Sequence, residues 1–176
     1  MNTEAIEGLL LTLERDLNDG GWDQPSSLWV VEAIEEDDPY FVKLCDFHQH
    51  PCEVMDSLPV LDKPRARGIV LASEAWMVES DGQLSQTIAE RLAHLGLTES
   101  ERKRLLRELA RREASMIRPS LSPDRVEVRF VQCMTKDGAV VVVMRTRDKE
   151  PERLDQDIEG RIYDSMQRAL GIKEQA

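Results

Sequence analysis

Ile6, Leu9, Leu10, Leu13 and Leu17 recur at helical spacing, so one apolar stripe runs down the segment that follows Thr3. Thr3 is the expected N-cap, Glu4 and Glu7 suit the positive end of the helix dipole, and Asn18-Asp19-Gly20-Gly21 ends the helix. The pattern then changes period. Leu28 to Ile34 and Tyr40 to Phe47 are apolar, β-branched and aromatic, and the acidic stretch Glu35 to Pro39 between them has the length of a hairpin loop. His50-Pro51 opens a short helical turn through Ser57 or Leu58, because proline is tolerated in the first turn. Pro59 to Gly68 reads as a loop with the bases Lys63, Arg65 and Arg67, and Gly68 to Glu79 as a strand closed by Ser80-Asp81-Gly82.

Leu84, Ile88, Leu92 and Leu95 mark a helix ending at Gly96. Thr98-Glu99-Ser100-Glu101 has the spacing of a capping box, and the helix behind it is expected to run to about Ile117, where Arg118-Pro119 stops it. Val126 to Met134 and Ala139 to Arg147 flank Thr135-Lys136-Asp137-Gly138, a strong hairpin signal. Leu154, Ile158, Ile162, Met166, Ala169 and Leu170 predict a final helix capped by Gly171. Two hairpins, one long strand and no βαβ alternation define an α+β fold. The expectation is a single domain over residues 1–176, a mainly antiparallel sheet of about five strands packed by about four helices, with the last few residues disordered.

Three blocks, Gly20 to Trp29 (GGWDQPSSLW), Gly68 to Val78 (GIVLASEAWMV) and Pro123 to Arg147, together resemble a group of actinobacterial proteins, the PPA1309-like family, over about residues 1–172. That family has no established activity, so the resemblance implies no catalytic residue. It implies one cytoplasmic domain of bacterial or bacteriophage origin. The chain departs from the family pattern in the Glu35–Asp38 loop and in the Cys45–Cys52 segment.

Charge sharpens the picture. The 176 residues carry a formal charge of −11, but residues 1–60 hold 14 acids and 2 bases, whereas residues 101–125 hold 4 acids and 8 bases. An acidic chain argues against a duplex-binding module that relies on overall positive charge. No apolar run reaches membrane-span length, Met1 to Glu4 lacks the basic start of a secretory signal, and three cysteines without a CxxC pair suit a reducing cytoplasm.

The densest set of metal-ligand types is Cys45, Asp46, His48, His50 and Cys52. On an extended chain alternate side chains share a face, which would bring Asp46, His48, His50 and Cys52 together with donors that suit zinc. The spacing matches no common structural zinc pattern, and Asp56 and Asp62 fail to complete a JAMM-type metalloprotease motif. Ser73 lacks the glycine-flanked elbow of a nucleophile, and His48, His50 and His94 are the chain's histidines, so a Ser or Cys triad has little support. Cys133, inside a predicted strand, reads as a small buried hydrophobe. Asp124, Glu127 and Arg129 faintly suggest a nuclease strand, but a salt-bridged strand is the simpler reading. Phosphate-binding glycine loops are missing from the sequence.

Arg102, Lys103, Arg104, Arg107, Arg111 and Arg112 form a basic face opposite Leu105, Leu106, Leu109 and Ala110. Charge runs are usually solvated faces, and this one lacks interleaved aromatics for stacking on bases. Glu32, Glu35, Glu36, Asp37 and Asp38, with Asp46 and Glu53, make the opposite patch, suited to steering a basic partner. Trp29 and Trp76 are expected in the core, and Trp22, in a glycine-rich turn, at its margin.

The leading expectation is a non-enzymatic cytoplasmic protein acting through protein contacts as a regulatory or accessory factor. Its interaction residues are Glu35, Glu36, Asp37, Asp38, Arg104, Arg107 and Arg111. A second reading is a metal-dependent hydrolase using His48, His50 and Cys52, the one case in which zinc enters; otherwise no cofactor is expected. A third is an acidic nucleic-acid mimic or nucleic-acid-associated protein. The expected partner is another protein, with a homo-oligomer among the options; nucleic acid ranks lower, and no membrane is expected.

Overall fold

The first apolar stripe becomes helix α1 (Thr3–Asp19) in a computed structural model of the chain, which describes residues 2–34, 38–78, 98–102, 104–105, 125–154 and 160–172. Its N-cap is Asn2 rather than Thr3: the Asn2 Oδ1 accepts from the Glu4 N–H at 2.9 Å, so the helix starts one residue earlier than expected. Gly20 caps its other end, and Gly21 follows with φ +86°, a conformation that favours glycine.

The strands are β1 (Ser26–Ala33), β2 (Pro39–Phe47), β3 (Ala66–Val78), β4 (Arg125–Thr135), β5 (Val140–Thr146) and β6 (Glu152–Arg153). They form one sheet in the order β2-β1-β3-β4-β5-β6, with β1 antiparallel to both β2 and β3, and β5 antiparallel to both β4 and β6. The α+β class is therefore as the pattern predicts, with six strands instead of about five. Helix α2 (Pro51–Ser57) follows β2, and helix α3 (Arg161–Leu170) follows β6. The final helix thus starts later than Leu154. Glu152 and Arg153, in front of that leucine, pair with Met144 and Val143 of β5, and Gly160 with φ +116° precedes the helix proper.

By contact density the chain divides into two compact units, residues 1–75 with 127–176, and residues 76–126. In the first, both faces of the sheet are covered. Ile6, Leu10 and Leu13 of α1 pack on Val31, Val70, Ala72, Val131, Cys133, Val141 and Val143. On the opposite face Met55 of α2 and Met166, Ala169 and Leu170 of α3 pack on Leu28, Val30, Ile69, Leu71 and Met134. Double coverage explains why these strands read as near-continuous apolar runs: along β3, Ile69 and Leu71 serve one core while Val70 and Ala72 serve the other. Gly68 permits the approach of β3 to β4, since a Cβ there would lie 2.5 Å from the Met134 carbonyl oxygen. Cys133 is fully buried, as expected, and burial pushes its thiol up to about 12.

In the second unit residues 99–102 and 104–105 are helical. The capping box is formed: the Thr98 N–H donates to the Glu101 carboxylate at 2.9 Å, and the Glu101 N–H donates back to the Thr98 hydroxyl at 3.4 Å. The Thr98 hydroxyl also donates to the Glu101 carboxylate at 2.6 Å, and this bond, with the smaller effect of the one from the Thr98 N–H, holds the Glu101 carboxyl below its usual range. Trp76 departs from expectation, being 42% exposed with the Arg125 guanidinium 4.6 Å from its ring centroid. The helix predicted before Thr98 and the later turns of the helix behind it lie outside the described residues. Among the described residues no helix is long and apolar enough to cross a membrane.

Candidate functional site

Two regions of the first unit combine chemistry with position. One is a charged centre under α1. The hairpin register places Arg129 of β4 directly opposite Arg145 of β5, an arrangement that like charges disfavour. Glu14 resolves it. This residue lies on the apolar stripe of α1 and has no exposed surface. Its Oε1 is 2.7 Å from the Arg145 Nε and 3.8 Å from the Arg129 Nη1. The hydrogen bond from Arg145 to Glu14 raises the Arg145 pKa further above its ordinary value, so this guanidinium is fixed as a cation. The Arg145 Nη1 also donates to the Lys149 carbonyl at 2.9 Å.

Arg129 continues the network to β3 and to the loop after α1. Its Nη2 lies 2.5 Å and its Nε 3.2 Å from the Glu74 Oε1, and its Nη2 also donates to the Gly21 carbonyl. The other Glu74 oxygen accepts from the Asp23 N–H at 2.8 Å. Asp23 itself has φ +65°, a left-handed conformation that aspartate adopts more readily than most residues. The Trp22 ring covers the assembly, its centroid 4.8 Å from the Arg129 guanidinium and 5.3 Å from that of Arg147, while Arg147 pairs with Glu127 at 3.1 Å. Trp22 is therefore a half-buried lid over two cations. A shallow dent beside Arg129, lined by Leu17, Gln24, Pro25, Ser27, Ala72, Ser73 and Glu74, has room for about one water. Three stretches distant in sequence meet here: Gly20–Trp29 through Trp22 and Asp23, Gly68–Val78 through Glu74, and Pro123–Arg147 through Glu127, Arg129 and Arg145.

Asp23, Glu74 and Glu127 bring carboxylate oxygens within 4.8 Å of one another. Glu74 and Glu127 are each already matched by a guanidinium, so this is the salt-bridged strand reading of Glu127 and Arg129 rather than a set of free metal ligands. Asp124 lies outside the described residues.

The histidine and cysteine cluster is not assembled. His48 and His50 are exposed, whereas Cys52 is fully buried. The His50 Nδ1 accepts from the Cys52 N–H at 3.3 Å and caps α2. Alternation fails as a guide because β2 ends at Phe47 and a helix starts at Pro51, so the side chains no longer share a strand face. Among the described residues His48, His50 and Cys52 do not form a group whose ligand atoms converge.

The second region is the edge of the sheet. Strand β2 pairs with β1 on one side, and among the described residues no strand lies beyond it. Its nine residues contrast with the two of β6 at the other edge. Val42 is 36% exposed on β2, and Ile34, beside the hairpin loop, is 69% exposed. Lys43 lies 5.3 Å from the Trp29 ring centroid and 2.7 Å from the Asp46 carboxylate. Tyr40 donates to Glu32 of β1 at 3.0 Å, which raises the phenol's pKa. Of the acidic loop, Asp38 is described and exposed; Glu35, Glu36 and Asp37 lie outside the described residues. Arg104 is exposed in the second unit, while Arg107 and Arg111 also lie outside the described residues.

Sequence reasoning missed Glu14, Glu74 and Arg145. A signal existed for two of them: an acid inside an apolar helical stripe, and arginines that the Asp137-Gly138 turn places opposite each other in two β-branched strands. Glu74 joins them through the adjacency of β3 and β4, which no local pattern reveals. No protein-family model matches the chain, and neither a curated protein nor a solved structure shows significant similarity to it.

Proposed function

We propose that the chain is a non-enzymatic regulatory or accessory protein that works through protein contacts, and that a partner segment docks by adding a strand to β2. The observation that carries this reading is the nine-residue strand β2, beyond which no strand lies among the described residues. An unpaired edge presents a row of main-chain donors and acceptors, and strand addition uses those groups for affinity and alternate side chains for selectivity. Exposed Val42 and Ile34 supply apolar contact along or beside that row. The 14 acids against 2 bases in residues 1–60 favour a segment that carries lysine or arginine. The three free cysteines suit a reducing compartment, and the cytoplasm is the proposed location. The charged centre has a supporting role in this scheme: it locks α1, β3, β4 and β5 together behind the edge.

Ten-residue peptides of alternating valine and lysine, set against valine and glutamate peptides of equal length, test this by affinity measurement. The expected result is selective binding of the lysine set, abolished by proline at those β2 positions whose amides face away from β1. Equal binding of both sets, or binding indifferent to every proline in β2, would count against the reading.

A further inference from the structure

The charges on β2 have an arrangement that its alternation alone would not give. Trp29 pairs with Lys43 and Ser27 pairs with Asp46. Residues two apart on β1 share a face of the sheet, so Lys43 and Asp46 share a face of β2 although three positions separate them. The irregularity is at Leu44, which is skipped between the pairs Leu28 with Cys45 and Trp29 with Lys43, and so acts as a bulge. Both charged side chains are accessible, at 43% and 46% exposure, and they neutralise each other at 2.7 Å.

The geometry points to a second copy of this chain as an occupant of the edge, through antiparallel pairing of β2 with its counterpart about a two-fold axis between Leu44 and Cys45. This rests on reading β2 as the contact edge. Under that symmetry Lys43 of one copy faces Asp46 of the other, and the reciprocal pair forms on the other side of the axis. The bulges of the two strands coincide at the axis, so both strands leave the regular pleat at the same place. Val42 then meets the counterpart of Phe47. Edge lysines and bulges ordinarily discourage indiscriminate strand pairing. Here they let a second copy of β2 match the edge more closely than a regular strand does, because it sets a carboxylate opposite Lys43 and an irregularity beside Leu44. Two-fold symmetry is the commonest arrangement of soluble oligomers, and it requires a patch complementary to itself, which a lysine and an aspartate on one face astride the axis provide.

Sedimentation equilibrium of the full chain and of two charge variants tests this. Lys43→Asp leaves two acids on the face, and Asp46→Lys leaves two bases. The wild-type chain is expected to dimerise reversibly with concentration. Each variant alone is expected to associate at least about tenfold more weakly, because like charges then oppose each other. An equimolar mixture of the two variants is expected to recover dimers of mixed composition, because acids then face bases in both reciprocal pairs. In that mixture each chain keeps its like-charged pair, so recovery cannot come from repairing the single chain. Circular dichroism of each variant, expected to match the wild type, guards against loss of folding. A wild-type chain that stays monomeric up to millimolar concentration overturns the inference, as does a mixture that associates no better than its components. If self-association fails while valine and lysine peptides still bind β2, only the choice of occupant falls. If both fail, the contact edge itself falls.

Discussion

Arg129 and Arg145 lie within the sheet under α1 and share the fully buried Glu14, whereas Lys43 and Asp46 lie on an open strand, nearly half exposed, and answer each other. The same residue types serve opposite ends. In the first region the charges have been taken out of water, so each must be matched inside the fold, and the match specifies how α1 sits on β4 and β5. In the second the charges stay hydrated and cost little, and the main-chain groups beside them keep unspent capacity to bond. Burial turns ion pairs into structural constraints, while exposure at an edge leaves them available for recognition.

The largest expected effect concerns the buried region. Glu14→Leu leaves Arg145 without its buried carboxylate, with only the exposed Glu150 at 4.0 Å in its place, and is expected to reduce stability by about 3–5 kcal/mol in urea unfolding. Replacing both partners, Glu14→Leu with Arg145→Leu, is expected to recover much of that loss, since Arg129 retains Glu74. If the double variant is as unstable as the single, the charges matter for something besides their mutual pairing. The opposite face of the sheet supplies an apolar control. Met166→Ala in α3 removes a fully buried side chain and is expected to lose about 2–4 kcal/mol, with little dependence on salt or pH.

A smaller contrast is chemical. Burial holds the Cys133 thiol at about 12, so at pH 8 it stays protonated and is expected to resist a thiol reagent until the chain unfolds. Cys45, half-buried on β2, is expected to react first. Mass mapping of the labelled cysteines checks the order, and equal labelling would contradict the burial assigned to β4.

The smallest effect lies at the β4–β5 turn. The Thr135 hydroxyl bonds the Asp137 carboxylate and lowers its pKa. A depressed carboxyl stabilises the fold above its unfolded value near ~3.9 and loses that contribution as pH falls through the lower folded value. Thr135→Val is therefore expected to cost about 0.5 kcal/mol more at neutral pH than in strong acid, allowing for solvent screening at the exposed Asp137, while loss of the buried hydroxyl's bond to the Ala139 carbonyl persists at both. Chemical unfolding at both pH values measures it.

Periodicity made most of the fold legible. The stripe of α1, both hairpins and the capping box at Thr98 are local, and residues within a few positions determine them. Strand β6 was not legible because its two residues, Glu152 and Arg153, are charged and owe their place to β5. Trp76 carries the hydrophobicity of a core residue, but its place near the end of β3 leaves it exposed. The charged centre was half legible: Glu127 and Arg129 read as a salt-bridged strand, while Glu74 depends on two strands distant in sequence lying side by side. In the histidine cluster, alternation was carried past the end of β2, where the chain turns into α2.

Residue-resolved hydrogen exchange of the amides from Tyr40 to Phe47, with and without saturating valine and lysine peptide, tests the contact edge most directly. In the free protein, held below the concentration range of its self-association, the expected result is an alternation interrupted at Leu44, with amides that bond to β1 protected and those facing outward exchanging fast. Peptide should protect the outward set and leave the inward set unchanged. Outward amides that exchange equally fast with the peptide bound would contradict strand addition at β2.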